Sequence, residues 1–313
     1  MSRGKENVTG VTEFLLLGIT SDPEQRQVLF WLFLCMYLVT VAGNTLIILV
    51  IGSHPRLHTP MYFFLINLSF VDICFTTNLI PKLLVNHVAG TWTISYPHCL
   101  TQMYFLISFA NLDTFLLAAM ALDRYVAICK PLLYHTIITP QLCRGLTTLM
   151  WTCSGLISLV HTLLMNGLTF CSSAREILHF YCDAYLLMKI ACSDTRVNQH
   201  MFLGAVVLFV APCALIVVSY IRIATAVLRI PSALGRRKAF STCSSHLSVV
   251  TLFYGTVLGV YIRPPKSFSV QDTVATVMYT VVTPMLNPFI YSLRNQDMKE
   301  AVGRLFSKGS KSS

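Results

Sequence analysis

Charged residues are scarce in this sequence, and long stretches of it carry none. Only 12% of the 313 residues are charged and 55% are hydrophobic, whereas a soluble domain averages about 25% charged residues. Charge-free runs cover residues 27–55, 57–71, 145–174, 197–221, 239–262 and 273–293. Most of these runs reach the length of about 20 apolar residues that a helix needs to cross a bilayer. The composition therefore excludes an ordinary soluble domain.

Seven segments have the length and composition of membrane-spanning helices. Six follow the charge-free runs, and the other covers residues 100–122, where Asp113 is the single acid. We place the spans near residues 28–51, 59–80, 99–128, 142–164, 197–228, 239–262 and 273–293. The sequence predicts an all-α membrane protein, a seven-transmembrane helix bundle over residues 28–293. Residues 1–27 form an N-terminal tail, and residues 294–313 form a C-terminal tail with a short amphipathic helix.

The basic residues predict the orientation of the bundle. One side, which includes the C-terminal tail, is the more basic, and its short loops hold Arg56, Lys130, Arg144, Arg229, Arg236, Arg237 and Lys238. The positive-inside rule places this side in the cytoplasm and the N-terminus outside the cell. The first ten residues contain no apolar run of a signal peptide. Asn7 begins a glycosylation acceptor, Asn-Val-Thr, that this orientation puts outside.

Signatures of catalysis and of nucleic-acid binding are missing. The sequence shows no nucleophile–base constellation, no HExxH metal motif and no phosphate loop, so an enzyme is not predicted. The net charge of +10 reflects membrane topology, because no basic stretch is interleaved with aromatic residues in a soluble domain. A membrane transporter or ion-translocating protein that uses Asp72 and Asp113 stays open as the alternative. The internal repeats that many transporters show are absent.

Cysteines differ by the side of the membrane on which they lie. Of eleven, only four fall on the predicted outer face, where disulfides persist: Cys99, Cys171, Cys182 and Cys192. Four cysteines permit three pairings, and the sequence does not choose among them. His179, close to Cys182 and Asp183, raises the alternative of a metal site, but a disulfide would consume the Cys182 thiolate.

Several long motifs extend from one end of the chain to the other. They are EFLLLGITSDPE (13–24), Gly43-Asn44, LHTPMYFFLINLSFVDIC (57–74), MALDRYVAIC (120–129), SYIRI (219–223), KAFSTCSSHL (238–247) and PMLNPFIYSLRN (284–295). With these motifs the chain closely resembles the olfactory receptors among the rhodopsin-like G-protein-coupled receptors, in the tetrapod-type class. Two positions depart from the family pattern: Leu122 replaces a usual Tyr, and Leu133 stands where PLHY or PLRY is usual.

The resemblance implies a receptor for small volatile organic molecules. Such a receptor activates a heterotrimeric G protein of the stimulatory, olfactory type and raises cAMP. Its expected location is the plasma membrane, specifically the ciliary membrane of sensory neurons, so membrane lipid is a further partner. No cofactor is implied, apart from a structural sodium ion. Leu122 and Leu133 both lie at the surface where the G protein would couple.

The resemblance also implies the disulfides and the switch residues. Cys99 would pair with Cys182 and Cys171 with Cys192. Coupling and switching would fall to Asp123, Arg124, Tyr125, Tyr220, Asn287, Pro288 and Tyr291. Asp123 would hold the Arg124 guanidinium in the resting state, and activation would free it toward Tyr220. Pro288 permits a kink because it removes a backbone hydrogen bond.

The expected ligand site lies in the outer half of the bundle. Helical spacing puts Met103, Leu106, Ile107, Ala110 and Asn111 on one face of the third span, and Tyr254, Val257, Leu258 and Tyr261 on one face of the sixth. Periodicity alone favours helix packing, whereas the family analogy favours ligand contact for Ile107, Ala110, Asn111, Tyr254 and Tyr261. Thr280 is a further expected ligand residue. No acid lies at the depth of Leu106, so an amine anchored by a salt bridge is not expected.

Two acids lie deep in the second and third spans. Asp72 and Asp113 have no Lys or Arg at comparable depth. Two uncompensated carboxylates in a low-dielectric setting would share a cation or stay protonated. In the olfactory receptors that this chain resembles, the matching acids are thought to bind sodium. Asn44 and Asn287 could supply further oxygen ligands to that ion. A protonated, hydrogen-bonded pair and a proton relay are the alternatives.

Overall fold

Long helices make up most of the chain. The structure is a computed structural model that describes residues 11–20, 22–171, 175–261, 270–294 and 296–309. In chain order the helices are α1 (Pro23–Ser53), α2 (Pro60–Ala89), α3 (Tyr96–Cys129), α4 (Tyr134–Ile137), α5 (Pro140–Asn166), α6 (Ala184–Ile190), α7 (Arg196–Leu228), α8 (Ala233–Tyr261), α9 (Val270–Val277), α10 (Thr283–Arg294) and α11 (Gln296–Gly309). A π-helical turn, Met278–Val282, joins α9 to α10.

The predicted seven-helix bundle is confirmed. Its members are α1, α2, α3, α5, α7, α8 and the helix that α9 and α10 form through the π turn. Six of these are long and apolar enough to cross a membrane by length and composition. The remaining one, α8, is 29 residues long, and its first half carries arginines and a run of serine and threonine.

Local signals explain where several helices begin and end. Asp22 caps α1 by accepting a hydrogen bond from the Glu24 backbone N–H at 3.0 Å, and a Ser, Thr, Asp or Asn cap of this kind stabilises a helix by about 1 kcal/mol. Gly90 ends α2 in the left-handed conformation, with φ at 65°. The second span was predicted to end near residue 80, yet α2 continues through Pro81 to Ala89. The loss of one backbone donor at Pro81 is therefore tolerated.

The bundle is organised around α3. This helix packs against α2, α5, α7 and α8, while α1 packs against α2 and α10. The larger hydrophobic cluster fills the bundle from Phe33 to Ala301. A second cluster lies at the end that contains Cys99, which we call the disulfide end. The opposite end, which contains Arg124, is called the Arg124 end.

A small sheet at the disulfide end was not predicted. Strand β1 (Glu13–Leu16) pairs antiparallel with β2 (Thr93–Ser95) and parallel with β3 (Glu176–Ile177). Phe14 of β1 is fully buried and packs edge-on against Phe170, with ring centroids 5.2 Å apart. Strands of two to four residues are too short for a recognisable alternation. They form because they bring distant segments of the chain together over one apolar cluster.

Two disulfides hold the long loop between α5 and α7. Cys99 is bonded to Cys182 and Cys171 to Cys192, the two pairings that the resemblance implies. Gln102 reinforces the first bond, since its Oε1 accepts a hydrogen bond from the Cys182 backbone N–H at 3.0 Å. The loop is thereby tied to the start of α3 at two neighbouring positions.

Candidate functional site

The bundle interior around the predicted ligand residues of α3 and α8 is largely apolar, and we call this region the ligand compartment. Leu106, Tyr254 and Val257 are buried in the larger cluster, and Ala110 packs against it. Two polar atoms are buried here without a hydrogen-bond partner, the Asn111 Nδ2 and the Tyr254 hydroxyl oxygen. A buried polar group without a partner costs about 1–3 kcal/mol. The arrangement suits a small organic molecule that offers one or two polar atoms.

The other predicted ligand residues are placed differently. Leu258 is 45% exposed, whereas Tyr254 and Val257 are buried. Helical spacing puts Leu258 about 40° from Tyr254 on the side away from Val257, at the edge of the buried face. Met103 is fully buried, and Ile107 packs nearby, in the cluster at the disulfide end. Thr280 is buried beside the π turn and donates to the Thr276 carbonyl oxygen at 2.8 Å. The Tyr261 side chain lies outside the described part of the chain, although its backbone ends α8.

The loop between α5 and α7 sends two aromatic side chains into the bundle. Phe180 and Tyr181 are buried in the larger cluster, to which Leu106 and Tyr254 also belong. His179, the residue before them, packs its ring against Tyr181 with centroids 4.2 Å apart. From the sequence, His179 was a candidate only for metal binding, and the disulfide to Cys99 does occupy Cys182. The described residues contain no group of three or more His, Cys, Asp or Glu side chains suited to a metal ion.

The two deep acids face one small cavity. Asp72, Asp113 and Asn287 line a cavity of about 10 Å³ together with residues of α2, α3, α8 and α10 and of the π turn. The Asn287 amide donates to the Asp72 Oδ2 at 2.9 Å, whereas the Asp113 Oδ1 is buried without a partner. No basic residue is among those that line the cavity. Two carboxylates therefore share a volume that holds about one water-sized body.

These residues fit a small monovalent cation. Hard cations prefer carboxylate, carbonyl and water oxygens, and the Asp113 Oδ1 and Asn287 Oδ1 are both buried without partners. Asn44 differs from expectation, because it is not among the lining residues. Its amide donates instead to the carbonyl oxygens of Thr40 and Pro284, at 3.0 and 3.1 Å, and so joins α1 to α10.

The Arg124 end contains a pairing that sequence analysis missed. The Tyr134 hydroxyl of α4 donates to the Asp123 Oδ1 at 2.7 Å. The described residues form two ion pairs, Arg196–Asp194 and Arg304–Glu300, so the expected Asp123–Arg124 pair is not present. Burial, together with the charge of Asp123 beside it, raises the pKa of Tyr134, which keeps the phenol a donor. Asp123 is thus satisfied by Tyr134, and the Arg124 Nε is buried without a hydrogen-bond partner.

A histidine links α7, α8 and α3 beside Arg124. The Tyr220 hydroxyl and the His246 Nδ1 are 2.8 Å apart, and the His246 Nε2 lies 3.1 Å from the Leu117 carbonyl oxygen. His246 is fully buried. It stands within the KAFSTCSSHL motif, and its position as the one histidine of α8, in a run of serine and threonine, was the signal that could have identified it. Tyr125, also predicted here, is half-buried and packs against the larger cluster.

The predicted switch residues of α10 are all buried: Asn287, Pro288 and Tyr291. Pro288 packs closely on α1, since a Cβ built on Gly43 would lie 3.2 Å from its ring. Tyr291 is buried, and its hydroxyl has no hydrogen-bond partner within the described ranges of the chain. The π turn before α10 is a second irregularity in this helix, and such turns often occur at functional sites. Asn7, the predicted glycosylation acceptor, lies outside the described residues.

Comparisons with known proteins agree with this arrangement. A family model described as olfactory receptor matches residues 33–309. Olfactory receptor 1D2 of Pongo pygmaeus is 57% identical over 296 residues, which cover 94% of this chain and 94% of that protein. Olfactory receptor 1N1 of Homo sapiens is 56% identical over 305 residues, 96% of this chain and 97% of that protein. Squid rhodopsin, a solved structure, matches with a TM-score of 0.74 at 17% identity and covers 92% of this chain and 87% of its own.

The rhodopsin match shows the fold, and the family model and the relatives show the family. Receptors of this class are multi-pass membrane proteins that bind odorants and couple to G proteins, and they are not enzymes. The chain belongs to the olfactory receptor family.

Proposed function

We propose that this receptor binds small, neutral, volatile organic molecules in the α3–α8 compartment and activates a stimulatory, olfactory-type G protein that raises cAMP. The carrying observation is the pair of unpartnered polar atoms, on Asn111 and Tyr254, in an otherwise apolar compartment. Small-molecule sites commonly combine an apolar lining with a few polar groups. No acid lies beside Leu106, which disfavours an amine held by a salt bridge.

The proposed orientation puts the disulfide end outside the cell. Disulfides persist in oxidising surroundings, and the more basic loops lie toward the Arg124 end, as the positive-inside rule requires of the cytoplasmic side. The ligand compartment would then lie toward the outside of the cell, and Arg124 would lie on the side of the G protein. The corresponding location is the plasma membrane, in sensory neurons its ciliary part, where lipid contacts the exposed apolar side chains.

Helix α8 is the proposed connection between the two ends. Tyr254 lies in the ligand compartment, and His246, eight residues earlier, contacts Tyr220. Eight residues correspond to about 12 Å along one helix. If α8 adopts two placements in the bundle, a ligand that binds one of them more tightly shifts the equilibrium toward it. The shift would change the fraction of receptors in which Tyr220 contacts His246, and with it the surface around Arg124.

Ligand-dependent cAMP production tests this proposal. Cells that express the receptor at a measured surface level should raise cAMP when an odorant panel is applied, whereas untransfected cells should not. Uptake of the same odorants serves as the control for transport. A surface-expressed receptor that transports its ligand without any cAMP response would contradict the proposal.

The acid pair is proposed to bind sodium and to favour the resting state. Asp72, Asp113 and Asn287 would hold the ion, because their oxygens share the small cavity and no basic residue balances the charge. Replacing sodium with a large organic cation at constant ionic strength should shift the odorant dose–response curve to lower concentration by about fivefold, the lower range of coupling between sites.

Asp113→Asn should remove most of that sodium sensitivity, since it takes one charge from the pair. Asp194→Asn is the matched control, because Asp194 is exposed and pairs with Arg196; it should respond to sodium as the wild type does. If the wild-type curve stays in place when sodium is replaced, the protonated pair is the better account.

A further inference from the structure

His179 has a buried ring nitrogen that forms no hydrogen bond with any described residue. Its Nε2 lies 3.3 Å from the Thr276 Oγ1 of α9, whereas its Nδ1 is buried without a hydrogen-bond partner. The His179 side chain as a whole is partly exposed, but its Nδ1 atom is buried. Buried polar atoms are nearly always paired with protein, water or ligand. The unpaired nitrogen therefore indicates a partner that arrives during function.

The neighbours of this ring connect it to the bundle interior. Its contacts are Phe180 and Tyr181, with centroids 4.8 Å and 4.2 Å away, and both residues belong to the larger hydrophobic cluster, as do Leu106 and Tyr254. Its Nε2 meets Thr276 of α9, one turn before the predicted ligand residue Thr280. We therefore take the inner side of this loop as the part of the protein that a ligand between α3 and α8 would meet.

The position of the ring is determined before any ligand binds. The His179 carbonyl oxygen accepts a hydrogen bond from the Leu17 N–H at 3.0 Å, and its own N–H donates to the Ile177 carbonyl oxygen at 2.7 Å. Three residues later the chain is fastened by the Cys99–Cys182 disulfide. A group held in this way loses little conformational freedom on binding, which favours affinity.

The imidazole at this place is neutral. Burial lowers the pKa of His179 to about 3, well below its ordinary value. The charged form is therefore absent near pH 7, and a carboxylate would gain no ionic attraction. A neutral imidazole keeps one donor and one acceptor nitrogen. When the Thr276 hydroxyl donates to Nε2, Nδ1 donates to a carbonyl oxygen; in the other tautomer, Nδ1 accepts from a hydroxyl.

We infer that His179 is a specificity-determining residue whose Nδ1 hydrogen-bonds the oxygen of a neutral, oxygen-bearing odorant: an aldehyde, ketone, ester or alcohol. The inference rests on the proposed function and deepens it, because it names the ligand class of the same compartment. Thr276 is the positioning residue that selects the tautomer. This hydrogen bond would hold the ligand from the loop between α5 and α7, whereas Asn111 and Tyr254 would hold it from α3 and α8.

The test measures cAMP dose–response curves for matched probes. The probes are short-chain aldehydes, ketones and alcohols, each compared with the 1-alkene of the same length. His179→Phe keeps an aromatic ring and removes both nitrogens, and it should raise the half-maximal concentration of the oxygen-bearing probes about tenfold, the size of one neutral hydrogen bond. Responses to alkenes should not change.

Two further variants separate the anchor from a structural contact. His179→Asn places an amide near the Nδ1 position and should restore part of the lost potency, while Thr276→Val should cause a smaller loss that is again confined to oxygen-bearing probes. His200→Phe is the matched control, because His200 is an exposed histidine whose Nδ1 bonds only to the Arg196 carbonyl oxygen; it should behave as wild type.

The outcomes distinguish two failures. Equal losses for alkenes and oxygen-bearing probes, or unchanged potency in His179→Phe at a normal surface level, would overturn the anchor and leave the proposed receptor function standing. A wild-type receptor that reaches the surface and responds to no probe in the panel would contradict the proposed function, and the anchor with it.

Discussion

Replacing Arg124 with alanine is expected to abolish odorant-stimulated cAMP while surface expression stays close to wild type. Arg124 lies near the C-terminal end of α3, its Nε is buried without a hydrogen-bond partner among the described residues, and Asp123 is bonded to Tyr134. The guanidinium is thus not part of an ion pair among the described residues. Its loss should remove little folding energy and most of the coupling, with a fall in the maximal response of at least about tenfold, or 1.4 kcal/mol.

The measurement is cAMP at saturating odorant, normalised to surface receptor. Arg144→Ala is the matched control, because Arg144 is an exposed arginine of α5 at the same end of the bundle. It should retain the wild-type response. Undiminished signalling by Arg124→Ala at equal surface level would exclude the residue from the mechanism.

Loss of the Cys99–Cys182 disulfide is expected to prevent delivery of the receptor to the cell surface. The bond closes a loop of 83 residues, whereas Cys171–Cys192 spans 21. In the chain-entropy model the longer loop corresponds to about 4.5 kcal/mol and the shorter to about 3.3 kcal/mol. Cys99→Ser and Cys182→Ser should therefore each reduce surface receptor strongly, by tenfold or more, and Cys171→Ser should reduce it less.

The double variant provides the sharper comparison. Because either single change breaks the same bond, Cys99→Ser with Cys182→Ser should be no worse than one change alone. Cys35→Ser is the control, since Cys35 is an exposed free cysteine of α1, and it should reach the surface normally. Clearly additive losses would indicate a different pairing among the four cysteines.

Several features of the ligand site could be predicted from the sequence, and others could not. The stripe on α3 and α8 follows from helical periodicity, and its central members, Leu106 and Val257, are buried as expected. Periodicity does not mark where the buried face ends, so Leu258, which is 45% exposed, was grouped with buried residues. That edge depends on how far α8 rotates against its neighbours, which no local pattern records.

At the Arg124 end, too, some features could be predicted from the sequence and others could not. Its motif was visible in the sequence, but the partner of Asp123 is Tyr134, eleven residues further along in a short helix that was not predicted. Four residues of helix carry too little periodicity to be recognised. His246 was likewise present in a quoted motif, yet its contact with Tyr220 spans 26 residues and two helices.

The sequence by itself determined that this protein is a seven-helix membrane receptor of the olfactory family. Membrane insertion depends on the length and apolarity of contiguous segments, and family motifs are contiguous too, so both can be read along the chain. Only the tertiary structure decided which polar atoms meet. Asn287 reaches Asp72 across 215 residues, and Cys182 reaches Gln102 across 80. Such contacts arise from the packing of distant helices and loops, where a rotation of one helix changes every partner. This is why the cavity of the acid pair and the contact between His179 and Thr276 emerged only in three dimensions.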